Sequence, residues 1–368
     1  MTSQPAAREI VYLGWTGHGN YGDELLLETW RLGLGVDAVS PITRRARLAD
    51  VRSTFRAYRT GRRTERMLLV GGGTVLGFRN WARHVADAAR VYQADVVVAL
   101  GAGAAESTDA FALGLQAQDW RRWERLRSVL LGVRGPLSAV ACEHAWRHPP
   151  VVGDPALSYP VVAGIDRRHG APGSIGVSVG ADPASRFDPA QVAAAVQSAS
   201  GADAEIVLFA LSPNDVAACR ALQAELRRPS RIHRFDGDVR TTTSEIARCG
   251  LMLSERLHGA VTAVALGVPT VPLAYASKCD DFWLSITGDR PSVAPGATAE
   301  QILGAVSRAL DPVERSAAEA QVGVLRQRLT LGIRRIADWR EGTITTDQLR
   351  EPLAVGTAEP SGARGGAA

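Results

Sequence analysis

Short apolar runs alternate with longer amphipathic stretches along nearly all of this chain, and the rhythm restarts once, after Gly170-Ala171-Pro172-Gly173. Arg8 to Gly14 reads as a first strand and Asp23 to Leu34 as the helix that follows it. Met67 to Val70, Asp95 to Leu100, Val129 to Val133 and Val151 to Gly153 read as further strands. After the restart the strands are Ile175 to Val179, Ile206 to Phe209, Leu251 to Leu253 and Val268 to Leu273, with helices over Asp188 to Ser198 and Ser212 to Arg227 between them. Unbroken apolar runs of this length suit strands covered on both faces, and their alternation with helices predicts parallel sheets. The expected fold is α/β, with two Rossmann-like parallel-sheet domains whose strand carboxyl ends face a cleft. The expected boundaries are 1–160 and 173–340, with a linker over Tyr159 to Gly173. Ala299 to Leu310 and Val313 to Trp339 read as arginine-rich helices, and 341–368 as a tail of disordered composition.

Composition excludes several classes. A chain of 368 residues with 46% hydrophobic and 22% charged content is long enough for two cores and is globular in character. No apolar run reaches membrane-spanning length, and Met1 to Arg8 is a polar lead-in without a signal pattern, so a cytoplasmic location is expected. The net charge of +4 is spread without a basic block, and aromatics are few. Nucleic acid is therefore not an expected partner, whereas anionic small molecules or peripheral association with a membrane surface are compatible with the charge. Cys142, Cys219, Cys249 and Cys279 lack metal-site spacing and read as reduced, buried thiols.

The chemistry concentrates around Ser254-Glu255-Arg256-Leu257-His258-Gly259, followed by Gly267-Val268-Pro269 and Lys278. Of the 42 basic residues, Lys278 is the only lysine. A chain this biased would put arginine wherever any cation serves, so the lone lysine marks a position suited to a compact ammonium. Arg256 and His258 at the predicted opening of a helix make an anion site with a proton-transfer group beside it.

Four other motifs fall at predicted strand ends. Gly17 to Glu24 is a glycine-rich turn in which Asn20 and Gly22 line the loop, and Asp23 is either a helix cap or a carboxylate aimed at a ligand. Gly71-Gly72-Gly73 and Gly101-Ala102-Gly103 put backbone where a ligand can come close. Arg134 is either a clamp for a carboxylate or phosphate at the cleft rim or an ordinary surface arginine. Asp154, held extended by Pro155, either orients a substrate hydroxyl or ends a strand.

In order and spacing these motifs resemble the polysaccharide pyruvyl transferase family, over roughly Val11 to Trp283. The resemblance rests on Gly19 to Glu24, Gly71 to Gly73, Val133 to Ser138, Gly153 to Ala156, Arg256-Leu257-His258-Gly259, and Tyr275 with Lys278. It implies a fold of the glycosyltransferase-B type, and transfer of the enolpyruvyl unit of phosphoenolpyruvate onto two sugar hydroxyls as a cyclic ketal, with loss of phosphate. The acceptor it implies is a saccharide or glycosylated molecule, lipid-linked or free, held by the first domain while the second takes the donor. In that scheme Arg256, Lys278 and Arg134 neutralise the donor, with Gly259, Tyr275, Gly72, Gly73, Gly103, Asn20, Gly22 and Asp154 lining the substrates. His258 is the general acid, and Asp23 or Glu255 takes the hydroxyl proton. No cofactor or metal is called for. His18 has no place in the family pattern. Two other readings stay open on the residues alone: a nucleotide-sugar glycosyltransferase of the same fold, and a non-catalytic anion-binding regulator.

Overall fold

The computed structural model describes residues 7–40, 64–104, 118–166, 174–180, 187–201 and 204–353. These form two compact units. The first draws on residues up to Thr16, Leu26–Pro155 and the segment from Arg326 onward; the second draws on Gly17–Leu25 and Ala156–Leu325.

The first unit holds β1 (Arg8–Leu13), most of α1 (Tyr21–Leu34), β2 (Ala38–Ser40), β3 (Glu65–Val70), β4 (Thr74–Leu76), α2 (Arg79–Val91), β5 (Val96–Ala104), α3 (Trp120–Arg125), β6 (Val129–Val133) and α4 (Pro136–Cys142). Its sheet runs β2-β1-β3-β5-β4, with β6 also paired to β5, and all pairings are parallel. The apolar runs read from sequence are the central strands, and Leu68, Val70, Ala99 and Val133 sit in one buried cluster with Trp81, Val85 and Trp123. β5 differs from expectation. It continues through Gly101-Ala102-Gly103 to Ala104, because Gly103 and Ala104 pair with the short β4. Val151 to Gly153 forms only an isolated bridge, from Val151 to Val133.

The second unit holds a 3₁₀ turn (Pro155–Ser158), α5 (Tyr159–Val162), β7 (Ile175–Ser178), α6 (Pro189–Ala199), β8 (Ile206–Ala210), α7 (Asp215–Glu225), β9 (Ser230–Arg234), α8 (Val239–Ile246), β10 (Leu251–Ser254), α9 (Leu257–Ala265), β11 (Thr270–Pro272), α10 (Ser277–Thr287), α11 (Ala299–Leu310) and the first part of α12 (Pro312–Glu341). The sheet order is β11-β10-β7-β8-β9, again all parallel. Strand order reverses between β7 and β10. In open parallel sheets, ligands bind beyond the carboxyl ends at such a reversal. Here that point is occupied by Ser178 to Gly180 and by Ser254 to Arg256.

Two expectations change. Part of the expected linker, Tyr159–Val162, is a short helix, while 167–173 lies outside the described residues. The expected tail begins later than 341. After α12 ends, Thr345 and Gln348 form a capping box on α13 (Thr346–Leu349), whose Leu349 is fully buried. Trp339 Nε1 donates to Thr346 Oγ1 at 3.1 Å, and Arg335 donates to the carbonyls of Glu351 and Pro352, which ties this segment down. Residues 354–368 lie outside the described part.

Candidate active site

The second unit gathers most of the predicted residues. α9 starts directly after β10, with Arg256 as its N-cap residue in extended conformation. Ser254 Oγ donates to the Arg256 carbonyl at 2.8 Å, tightening the junction. A Cβ at Gly259 would lie 2.3 Å from Ser254 Oγ, so the helix can begin this close to the strand only with glycine there. His258 occupies the first turn of α9, and Lys278 the first turn of α10. Lys278 Nζ stands over the Tyr275 ring, 4.9 Å from its centroid, a cation–π distance.

The Gly17–Leu25 segment belongs to this unit and supplies Asp23. Tyr21 anchors it. Its backbone N–H donates to Leu211 O at 2.8 Å, and its buried hydroxyl sits 2.8 Å from Thr243 Oγ1 and 3.0 Å from Thr262 Oγ1. Burial raises the Tyr21 hydroxyl well above its usual range, so it stays protonated. Asn20 caps α1: its Oδ1 accepts from Gly22 N at 2.9 Å and its carbonyl from Glu24 N at 3.1 Å. A Cβ at Gly22 would fall 2.1 Å from His258 Nδ1. Glycine is needed here because the helix backbone passes directly against the imidazole.

Asp23 is thereby brought among cations. It is partly accessible, yet the surrounding protein withdraws enough water to raise its carboxyl to about 6. Loss of hydration is the largest influence. His258 and Lys278 pull the other way, Glu24 pushes the carboxyl up, and Arg256 lowers it. Asn20, not Asp23, caps α1, and the Asp23 carboxyl lies within electrostatic reach of His258 and Lys278.

Arg256 differs from expectation. Its Nε lies 3.0 Å from Asp215 Oδ2 and its Nη2 bonds Asp215 Oδ1, a two-pronged ion pair with a fully buried carboxylate. Burial raises the Asp215 carboxyl, against the opposing hydrogen bonds and charge of Arg256. For Arg256, burial works downward but the bond to Asp215 reverses it, leaving the guanidinium above its ordinary value. The charge of Arg256 is already matched within the protein, and Nη1 is the nitrogen not engaged by Asp215. Sequence reasoning missed Asp215. It lies in the unremarkable run Ser212-Pro213-Asn214-Asp215, and only the fold carries it to the foot of β10.

Glu255 is also not where a proton acceptor was expected. It is buried, with Oε2 accepting Gly180 N–H at 2.7 Å and its own N–H donating to Ser178 O at 2.8 Å, so it joins the ends of β7 and β10. Cys219, near Asp215, has its thiol raised to about 12 by burial and then by Asp215, so it is not a nucleophile. The four cysteines are all free and buried. Among the described residues, no cluster of histidine, cysteine and carboxylate could hold a metal.

The remaining predicted residues lie in the first unit. Arg134 was expected at a rim but is fully buried. Its Nη1 donates to Thr74 Oγ1 at 3.0 Å, and a Cβ at Gly103 would meet its Nη2 at 2.4 Å. Gly103 therefore makes room for a guanidinium of the protein itself. Gly72 has φ +92, and a Cβ there would collide with Leu26. Gly73 takes φ +73, and its carbonyl accepts from Gly103 N at 2.8 Å. Asp154 is fully buried. These five positions shape the strand ends of the first sheet.

Two parallel sheets, each with its strand-order reversal, define a fold of the glycosyltransferase-B kind. Solved structures similar to it include the protein described as a UDP-N-acetylglucosamine 2-epimerase from Listeria monocytogenes, at 12% identity and TM-score 0.62, covering 96% of this chain and all of that one. The UDP-GlcNAc 2-epimerase of Neisseria meningitidis is similar at 12% identity and TM-score 0.53, over 88% of this chain and 99% of that one. That of Methanocaldococcus jannaschii gives 12% and 0.51, over 87% and 99%. At such identity the likeness is one of fold. No curated protein matches the sequence. The polysaccharide pyruvyl transferase family model matches residues 20–277, and the chain belongs to that family. The match opens at the cap residue Asn20 and closes one residue before Lys278.

Proposed function

We propose that the protein transfers the enolpyruvyl unit of phosphoenolpyruvate to two hydroxyls of a saccharide, forming a pyruvyl ketal and releasing phosphate. The observation that carries this reading is the grouping of Asp23, His258, Lys278 and Arg256, from three separate helix starts, beside the reversal point of the second sheet. Phosphoenolpyruvate is a compact dianion or trianion. Lys278, Arg256 Nη1 and the backbone N–H groups at the start of α9 are the donors suited to its phosphate and carboxylate. His258 gives a proton to the terminal methylene, which makes the enol carbon electrophilic. A sugar hydroxyl adds there and passes its proton to Asp23. The C–O bond to phosphate then breaks, and the second hydroxyl closes the ring with loss of its proton. Asp23, titrating near 6, is ionised at neutral pH and still basic enough to accept.

Incubating the protein with phosphoenolpyruvate and a panel of free and lipid-linked saccharides, followed by mass spectrometry, tests this. The expected result is a pyruvyl-ketal mass gain matched by released phosphate. Thermal protection by a nucleotide sugar, with none by phosphoenolpyruvate and no ketal product, would replace this reading with glycosyl transfer.

A further inference from the structure

The second unit contains a cavity of about 230 Å³ that none of the candidate site residues lines, although Gly267-Val268-Pro269 does. It lies along β11, from Thr270 to Pro272, among Val264, Pro269, Trp283, Ile286, Ala305 and Val322. The helices that carry His258 and Lys278 both end here: Val264 and Gly267 close α9, and Ile286 and Thr287 close α10. At about 1.5 Å per residue, the lengths of α9 and α10 put roughly 13–16 Å between these helix ends and the helix starts that carry His258 and Lys278.

Its walls are mostly apolar, but Arg290, Arg308 and Arg315 also line it. Arg290 is bonded to Asp280 at 3.0 Å. Arg308 Nη2 has a neutral partner, Ser292 Oγ. Arg315 is about a third exposed: its Nη2 forms a long ion pair with Glu319 at 3.7 Å, and among the described residues its Nε–H has no hydrogen-bond acceptor. The outer nitrogens of Arg315 and Arg308 are thus held only by a long ion pair and a neutral hydroxyl, which leaves guanidinium donors on this wall able to take a carboxylate. The acids on the lining, Asp289, Glu314 and Glu319, are all exposed to solvent. The volume equals the share of about eight waters at ~30 Å³ each, below the range of ~300–1,000 Å³ for drug-sized ligands.

We infer that this cavity is a second binding site, which takes a small amphipathic acid: an apolar body against Trp283, Ile286 and Val322, and one carboxylate on Arg315 and Arg308. It is distinct from the phosphoenolpyruvate site, whose donors are all at the other ends of α9 and α10.

Phenylacetate and hexanoate are suitable probes, titrated calorimetrically into the full chain without phosphoenolpyruvate, so the outcome does not depend on the pyruvyl-transfer reading. The expected result is saturable binding of one molecule per chain. Ala318→Trp, which fills the cavity from α12, should abolish it, and Arg315→Met should weaken it at least tenfold while sparing phosphoenolpyruvate affinity. If the tryptophan variant does not fold, the methionine variant alone decides. No saturable binding of either acid, or binding unchanged by Arg315→Met, would overturn the proposal.

Discussion

Asp215, fully buried at the start of α7, holds Arg256 through both Nε and Nη2. A buried carboxylate facing a guanidinium this way fixes the arginine's plane, and with it the direction of the remaining nitrogen. It also makes each partner dependent on the other. Removing one member of a buried pair leaves an uncompensated charge and costs about 3–5 kcal/mol, whereas replacing both by apolar groups is often neutral. Asp215→Ala should therefore lower stability by about 3 kcal/mol in urea unfolding. The double variant Asp215→Leu/Arg256→Met should recover most of that while remaining inactive. If the double variant is as unstable as the sum of the single ones, the two residues are not coupled as described.

Gly22→Ala should act as a lesion of His258 without touching it. The added methyl would sit 2.1 Å from Nδ1, so either the imidazole or the first turn of α1 must move. Misplacing a proton donor should cost turnover on the order of the 10²- to 10⁴-fold expected for losing general-acid catalysis altogether. His258→Ala should show the same loss in kcat with phosphoenolpyruvate binding largely kept. An alanine variant at position 22 with ordinary kcat would mean that the imidazole takes no part in the reaction as positioned here.

The raised carboxyl of Asp23 predicts an unusual pH dependence. Its folded value of about 6 lies above the unfolded 3.8, so between those limits the folded state binds more protons than the unfolded one. The resulting stability is present in full below pH 3.8 and is lost as pH rises through about 6. Asp23→Asn removes this loss. At pH 7.5 it should be more stable than the wild type by on the order of 2–3 kcal/mol, with the difference shrinking toward pH 4. Activity has the opposite slope. The wild-type rate should fall below about pH 6 as Asp23 becomes protonated, and the asparagine variant should lack that acidic limb. Equal stability of the two proteins at pH 7.5 would show that Asp23 is not held in this desolvated state.

Much of the fold could be read from the sequence because parallel strands are buried on both faces and leave unbroken apolar runs, as at Met67 to Val70 and Ile206 to Phe209. Strand β9 escaped because Ser230-Arg231-Ile232-His233-Arg234 is an edge, with half its side chains in water and no run to detect. Helix α8 escaped because its Val-Arg-Thr-Thr-Thr sequence favours turns, and its burial depends on Thr242 and Thr243, the latter reaching Tyr21. At the site, Arg256 and His258 were legible as an arginine–histidine pair at a predicted helix start, and Lys278 as the single lysine. Asp215 and Tyr21 were not, since their roles come from partners 41 and more than 200 positions away. Arg134 misled for a related reason. Charge suggested a surface, but Gly103 and Thr74 provide a buried slot for it.

Lys278 gives the sharpest test. It is the single lysine among 42 basic residues, it stands over the Tyr275 ring, and its charge is felt by Asp23. An ammonium is compact, and its three donors rotate freely. A guanidinium is planar, broader and better suited to paired contacts. Over the Tyr275 face the planar group would have to tilt or withdraw, and it would not present a single donor to a confined oxygen as an ammonium can. Lys278→Arg should thus be nearly as damaging as Lys278→Ala, each losing tenfold or more in kcat/KM, about 1.4 kcal/mol of transition-state stabilisation. Both folded proteins should retain near wild-type stability, because a partly exposed lysine contributes little to it. Steady-state kinetics with phosphoenolpyruvate varied at saturating acceptor separates the cases. If the arginine variant behaves as wild type while the alanine variant is crippled, charge alone is required at this position, and the choice of lysine carries no information about the shape of the anion it meets.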